Sequence, residues 1–134
     1  SYIEKGVENQ INFCGYVTRE EMPKMYSKAD IFVLPSYNEG MSNALLEAMA
    51  SALPVVVTHV GGTEELVDDT NGFVFDAGQT EQLVEILETI HHNKANIKFL
   101  GQNSRKKVEE LSWKKISEQY LSIFKSIKEN SSQY

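Results

Sequence analysis

The alternation of short apolar runs with helical stretches is the feature that most constrains how this chain can fold. Runs rich in β-branched and aromatic residues occur at Ile11 to Cys14, Ile31 to Leu34, Val55 to Thr58 and Phe73 to Phe75. Each run is followed by a segment with helical signals. Because parallel strands must be joined by a crossover that travels back along the sheet, this pattern predicts an α/β domain with a parallel sheet and helices on both faces.

Capping signals and apolar spacing set the expected helices. Thr18 and Glu21 have the spacing of a capping box, which predicts a helix from there to about Lys28. Ser42 can cap a second helix, which should stop before Pro54. The apolar face of this second helix is predicted to consist of Leu45, Ala48, Met49 and Ala52.

A third helix is predicted to begin at Thr80, and the chain beyond it is predicted to be helical over 96–111 and 112–128, with a frayed end at 131–134. The residues expected to point inward from these helices are Leu83, Ile86, Leu87 and Ile90 in the third, and the stripe Trp113, Ile116, Tyr120, Ile123 and Ile127 in the last.

Charge and cysteine content exclude several classes of protein. Thirteen Lys and Arg against nineteen Asp and Glu give a net charge of −6, which disfavours a nucleic-acid partner. The basic residues at 105–107 and 114–115 are predicted to be a solvated helix face. Cys14 is the only cysteine, so no internal disulfide can form; we expect a buried strand residue there and a cytoplasmic location.

The segment that follows Leu34 carries the chemistry of the predicted site. Ligands of parallel sheets bind at the carboxyl ends of the strands, and here a loop enters a helix at that point. The free backbone N–H groups from Met41 to Ala44 and the positive end of the helix dipole suit a phosphate. Gly40 allows the backbone to approach a ligand closely.

Two carboxylates flank this helix start. Glu39 lies in the loop, whereas Glu47 lies one turn inside the helix and should lean back towards the loop. Carboxylates repel phosphate but accept hydrogen bonds from vicinal hydroxyls, so phosphate is assigned to the amides and sugar hydroxyls to the glutamates. The same residues also fit a capped core helix with one acidic side chain near its start.

A longer ordered set of residues resembles a known family. Seven residues separate Glu39 from Glu47, and the set continues with Ala48-Met49-Ala50, Leu53-Pro54-Val55-Val56, Gly61-Gly62 and Glu65. Together with the segments at 11–17, 26–36 and 71–74, it resembles the family-four retaining glycosyltransferases, which have the GT-B fold. The resemblance covers about residues 11–75 closely.

The resemblance implies a Rossmann-like donor-binding domain that lacks its first two strands. Residues 1–134 would then be a partial nucleotide-sugar-binding domain, with a C-terminal helix and tail at 111–134. It further implies an enzyme that moves a sugar from a nucleoside-diphosphate sugar to a saccharide or lipid-linked acceptor, in polysaccharide or glycolipid synthesis. The acceptor would bind an amino-terminal domain, the parent enzyme could lie at the cytoplasmic membrane face, and this chain alone is expected to be inactive and to self-associate.

The resemblance also implies roles for individual residues. Glu39 would contact hydroxyls of the transferred sugar and is the candidate catalytic residue, whereas Glu47 would contact the ribose. The backbone amides expected to face the sugar and the diphosphate are those of Gly40, Met41, Ser42 and Asn43, and the turn expected near the base is Gly15, Tyr16 and Val17. Many members have Gly-Phe-Gly after the first glutamate, so their sugar specificity is not carried over to this chain.

Other polar residues near the predicted site have plain alternatives. His59 either contacts the donor or is an ordinary loop histidine, and Gly61 and Gly62 either wall the pocket or only form a turn. Asp68 and Asp69 are expected to be solvated turn acids, and no metal or other cofactor is expected. Two further functions stay open, namely a nucleotide-sugar epimerase of GT-B architecture and a non-catalytic nucleotide-sugar binding module.

Overall fold

The structure is a computed structural model that describes residues 6–37 and 43–131, with the backbone alone at 64, 113, 116, 119, 120 and 122–131. The helices are α1 Met22–Lys28, α2 Asn43–Ala50, α3 Thr63–Leu66, α4 Thr80–His92 and α5 Ile97–Ser131, and the strands are β1 Phe32–Leu34, β2 Val55–Thr58 and β3 Gly72–Phe75. Short 3-10 turns occur at Glu8–Gln10 and Lys94–Asn96.

The three strands form a parallel sheet in the order β1-β2-β3. Val33 lies opposite Val56, which in turn lies opposite Phe73. The central strand β2 is buried along its whole length, which explains why its sequence is a continuous Val-Val-Val run with no polar alternation. The predicted α/β class with a parallel sheet is therefore confirmed.

Each face of the sheet carries its own apolar cluster. Val55 and Val57 point to one face and Val56 to the other, as the twofold period of a strand requires. The first cluster also contains Tyr26, Leu45, Ala48, Met49, Leu53, Leu66 and Val67, and the second also contains Phe75 and Ile90. The predicted inward face of α2 is thus confirmed for Leu45, Ala48 and Met49, which are all fully buried.

Two glycines permit the closest packing in the domain. A Cβ atom at Gly72 would overlap the carbonyl of Val55 in the neighbouring strand. A Cβ atom at Gly101 would overlap the carbonyl of Ala52, just beyond the end of α2. Both positions therefore exclude a side chain, and the second lets α5 lie directly against the turn that follows α2.

The first apolar run does not form the predicted strand. Residues Ile11 to Cys14 have no regular secondary structure, with Ile11 46% and Phe13 80% exposed. Cys14 is exposed as well, so the prediction of a buried strand cysteine is wrong. A β-forming sequence becomes a strand only where another strand pairs with it, and within the described residues no partner does so.

Several helix boundaries also differ from the sequence-based expectation. α1 ends at Lys28 as predicted, but it begins at Met22, and Glu21 makes no side-chain cap hydrogen bond. The carbonyl of Thr18 instead accepts hydrogen bonds from the N–H groups of Glu21 and Met22, at 3.0 and 3.1 Å. The proline at the second position of α1 has no N–H group, which leaves one fewer donor to cap.

The later helices confirm some predictions and correct others. Ala52 does not continue the buried face of α2, because it lies beyond the helix with a φ of 61°. α4 begins at Thr80 as predicted, yet Leu87 is 36% exposed and does not point inward. The two predicted C-terminal helices are one continuous helix, α5. Ser42, the tail at 132–134 and the side chains of the Trp113 to Ile127 stripe lie outside the described part of the chain.

Candidate functional site

The carboxyl ends of the strands converge at one edge of the sheet, where the predicted site lies. The buried Thr58 hydroxyl, at the end of β2, donates a hydrogen bond of 2.5 Å to the carbonyl of Ser36, which follows β1. The N–H group of His59 donates to the carbonyl of Phe75 at 2.7 Å, and the Thr63 hydroxyl donates to the carbonyl of Thr58 at 3.1 Å. These bonds fix the starting point of the loop that leads to α2.

The predicted phosphate-binding segment is only partly described by the structure. Asn43 is the first residue of α2 and is exposed. The candidate residues Glu39, Gly40, Met41 and Ser42 lie outside the described residues, so the roles assigned to them stay predictions.

Glu47 lies at the contact between α2 and α1. Its Oε2 atom accepts a hydrogen bond of 3.1 Å from the hydroxyl of Tyr26. Tyr26 is 6% exposed, and its ring packs edge-on against Phe32 with the ring centroids 6.1 Å apart. Burial, together with the hydrogen bond to Glu47 and the charge of that residue, raises the pKa of the Tyr26 hydroxyl above its ordinary value. The hydroxyl therefore stays protonated and acts as a donor to the half-buried carboxylate.

A cavity of about 260 Å³ lies beside this hydrogen bond, between α1 and α2. Its lining residues are Arg19, Met22, Pro23, Tyr26, Glu47, Ala50 and Ser51. The wall thus combines a cation, a carboxylate and an apolar surface. Such a mixture suits a ligand that has a flat or apolar part and several hydroxyl groups.

A larger cavity, of about 590 Å³, lies elsewhere on the domain. It is lined by Asp30 and Ile31, which precede β1, and by residues of α4, α5 and the turn between them. This position is the amino end of β1, away from the carboxyl edge where parallel sheets bind their ligands. We therefore do not assign this cavity to the site.

The predicted base-binding turn and pocket-wall turn both occur in the structure. Gly15 has a φ of 62°, Tyr16 is 92% exposed and Val17 is half-buried, so the turn leaves the Tyr16 ring open to solvent. The second turn has Gly61 at a φ of 51° and leads through Gly62 into α3. Whether either turn contacts a ligand stays a prediction.

Asp68 proves to be a structural turn residue. It accepts hydrogen bonds from the N–H and hydroxyl groups of Thr70 and forms an ion pair with Lys107 of α5. The Lys107 ammonium, followed by the Thr70 hydroxyl, lowers the pKa of Asp68 to about 2. Arg105 pairs with Glu109 on the solvated surface of α5, as expected for the basic cluster.

The described part of the chain has neither a metal-site cluster nor a membrane-spanning helix. Among its residues, no three His, Cys, Asp or Glu side chains are grouped as a metal site would need. Its helices also include none that combines the length and the apolar character needed to span a bilayer.

Sequence reasoning missed Tyr26 and Arg19 as site residues. Tyr26 lies 21 positions before Glu47, and nothing in the local pattern of either helix indicates that the two side chains meet. The only sequence signal was that Tyr26 belongs to the segment 26–36 in which the family resemblance was found.

The fold and the site together define a class of protein. A parallel sheet whose carboxyl edge leads through a loop into a helix is the arrangement of Rossmann-like α/β domains, which bind their ligands at that edge. More particularly, the chain belongs to the family described as Glycosyl transferases group 1, whose model matches residues 1–93. The predicted glycosyltransferase membership is therefore confirmed.

Curated relatives support this assignment. Over 106 residues the chain is 32% identical to sulfoquinovosyl transferase SQD2 of Arabidopsis thaliana, covering 76% of this chain and 21% of that protein. Over 129 residues it is 31% identical to O-antigen chain mannosyltransferase B of Escherichia coli, covering 92% of this chain and 32% of that protein. The chain thus spans a third or less of the length of these relatives.

Solved structures agree with the family. Sucrose-phosphate synthase from Thermosynechococcus elongatus matches with a TM-score of 0.78 and 27% identity, over 90% of this chain and 31% of that one. Anabaena HepE in complex with UDP matches with a TM-score of 0.75 and 25% identity, over 87% of this chain and 33% of that one. The domain therefore has the Rossmann-like fold of GT-B glycosyltransferases.

Proposed function

We propose that this chain supplies the donor-binding part of a retaining glycosyltransferase that moves a sugar from a nucleoside-diphosphate sugar to an acceptor hydroxyl, in polysaccharide or glycolipid synthesis. The family assignment supports the transfer reaction. The HepE structure, which contains UDP, supports a nucleotide donor. The O-antigen chain mannosyltransferase supports a polysaccharide product, and the acceptor would bind a further domain of the full-length protein.

The observation that carries this proposal is the position of the Glu47 carboxylate. It is half-buried, is held through Oε2 by Tyr26, and borders the cavity of about 260 Å³. A carboxylate is an acceptor with two oxygen atoms, so Oε1 remains to accept a hydrogen bond from a ribose hydroxyl. A charged acceptor of this kind forms stronger hydrogen bonds than a neutral one, which suits ribose recognition.

The remaining roles follow the sequence-based assignment. Glu39 would bind hydroxyls of the transferred sugar as the candidate catalytic residue, and the amides from Gly40 to Asn43 would stabilise the charge on the departing diphosphate. The turn at 15–17 would lie near the base, and His59 with Gly61 and Gly62 would form part of the pocket wall. In this proposal the amides and basic residues meet the charge of the leaving group without a metal ion.

The test is a Glu47→Ala substitution in the full-length protein that carries this chain. Loss of one charged acceptor should weaken nucleoside-diphosphate binding by about 1.5 to 3 kcal/mol, measured by isothermal titration calorimetry. Glu85→Ala serves as the matched control, because it removes the same charge from an exposed position on α4. Unchanged affinity in the Glu47 variant would contradict the assignment, and nucleotide binding without any sugar transfer would favour a non-catalytic binding module instead.

A further inference from the structure

We propose that Tyr26 is a positioning residue that sets the ribose selectivity of Glu47 through the hydrogen bond between the two side chains. This inference rests on the proposed function, in which Glu47 accepts hydrogen bonds from the ribose. The carboxylate would be oriented before the nucleotide arrives, because a buried hydroxyl already occupies one of its oxygen atoms.

Contacts of the Tyr26 ring in the core of the domain hold its hydroxyl in place. The ring is 6% exposed and packs against Phe32, with an angle of 64° between the ring planes. Phe32 is the first residue of β1, and its N–H group donates a hydrogen bond of 2.9 Å to the carbonyl of Pro54. The hydroxyl that reaches Glu47 is thus attached to a ring that the sheet itself holds in place.

Among the described residues, this hydrogen bond is what connects the Glu47 side chain to α1. Tyr26 lies near the end of α1, and Glu47 lies in the middle of α2. The distance of 3.1 Å between the hydroxyl oxygen and Oε2 is at the long end for a hydrogen bond between two oxygen atoms. The raised pKa of Tyr26 supports the direction of this bond, since the group remains a donor at neutral pH.

The functional consequence comes from the freedom of a glutamate side chain. A half-buried glutamate without a partner would sample several rotamers, and binding would then have to select one of them. Holding Oε2 reduces that cost and restricts the positions that Oε1 can take. The contacts made by Oε1 should therefore depend on Tyr26.

The experiment uses Tyr26→Phe in the full-length protein, since phenylalanine keeps the ring and its contact with Phe32. Binding is measured by calorimetry with UDP, GDP and ADP, and then with the 2′-deoxy form of whichever binds most tightly to the unmodified protein. Because the Glu47 side chain would then have to be immobilised when the nucleotide binds, we expect the ribonucleotide to bind about two- to tenfold more weakly. The deoxynucleotide should be affected less, and donor KM should rise with little change in kcat.

Two further variants separate positioning from a general structural effect. In a Glu47→Ala background, Tyr26→Phe should have no additional effect on binding, because the group that it orients is gone. Ser27→Ala is the control, since it removes another hydroxyl from α1, one that donates to the Lys24 carbonyl at 2.7 Å. Melting temperatures report whether each variant remains folded.

A ribose-dependent loss that disappears in the Glu47→Ala background supports the inference. Equal weakening of both nucleotides, or a loss that persists in that background, overturns it, because Tyr26 would then act independently of Glu47. Normal binding by Tyr26→Phe alongside impaired Glu47→Ala overturns this inference alone, whereas normal binding by Glu47→Ala overturns the proposed role of Glu47 and this inference with it.

Discussion

At the scale of single residues, two acidic side chains of this domain, Asp68 and Glu47, have different surroundings. The described partners of the Asp68 carboxylate are Thr70 and Lys107, and these lower its pKa. Glu47 has one oxygen bound to Tyr26 and borders a cavity. The charge and the sequence context of Asp68 and Glu47 do not show how the two residues differ. The groups that surround each carboxylate in the structure show it.

The Asp68 carboxylate should contribute to stability in a pH-dependent way. Its pKa in the folded protein is about 2, below the ordinary value near 3.8, so the stabilisation is complete above that ordinary value and is lost as the pH falls towards 2. Because the side chain is 51% exposed, solvent screening limits the effect to about 1 kcal/mol or less. We expect Asp68→Asn to lower the free energy of unfolding at pH 7 by that amount. At pH 2 the free energies of unfolding of the variant and the unmodified protein should be more similar.

Urea unfolding at pH 7, 4 and 2 measures this difference. Asp69→Asn is the matched control, as it changes the neighbouring exposed carboxylate. A difference between Asp68→Asn and the unmodified protein that is the same at all three pH values would show that the ion pair does not act through the Asp68 charge.

At the scale of whole elements, the position of α5 depends on a single glycine, which has no side chain. Gly101 lies in the first part of this helix, where a Cβ atom would overlap the carbonyl of Ala52. Ala52 itself has a φ of 61°, so the turn between α2 and β2 is in a conformation that non-glycine residues rarely adopt. Close contact with α5 keeps this turn in place against the sheet.

Replacement of Gly101 by alanine tests this packing. Alanine favours a helix over glycine by about 1 kcal/mol, so a free helical position would become more stable. Here the cost of overlap with a backbone atom should exceed that gain in helix stability. We expect a net loss of about 1 to 3 kcal/mol in the free energy of unfolding. Urea denaturation measures it, with Gly62→Ala as a control because a Cβ there meets no atom within 4 Å. An increase in stability for Gly101→Ala would contradict the described contact.

At the scale of the whole molecule, the sequence predicted the elements whose pattern is local. The run at β2 and the apolar spacing of α2 each carry their own signal, and both were predicted correctly except for Ala52, which lies beyond the helix. The run Ile11 to Cys14 carries a similar signal but forms no strand, because strand formation depends on a neighbour that sequence pattern does not reveal. The bond from Tyr26 to Glu47 escaped prediction for a related reason, since it depends on how two helices pack.

The open edge of the sheet is where we expect copies of this chain to associate. Among the described residues, β1 pairs with β2 alone, so its other edge has no strand beside it. Parallel sheets are normally covered, and open edges recruit other chains. The cavity of about 590 Å³ beside Ile31 adds an apolar surface next to this edge, where Leu87 is 36% exposed. We expect the 134-residue chain, when produced alone, to form dimers or larger species and to transfer no sugar.

Light scattering coupled to size exclusion, over a range of protein concentrations, measures this association. Leu87→Lys should reduce it by placing a charge beside the open edge, while Leu121→Lys, at another exposed apolar position on α5, should not. A mass of one chain at every concentration would contradict the prediction. If Leu121→Lys instead reduced association and Leu87→Lys did not, the contact would have to lie along α5, since the charge that disrupts an interface must lie within it.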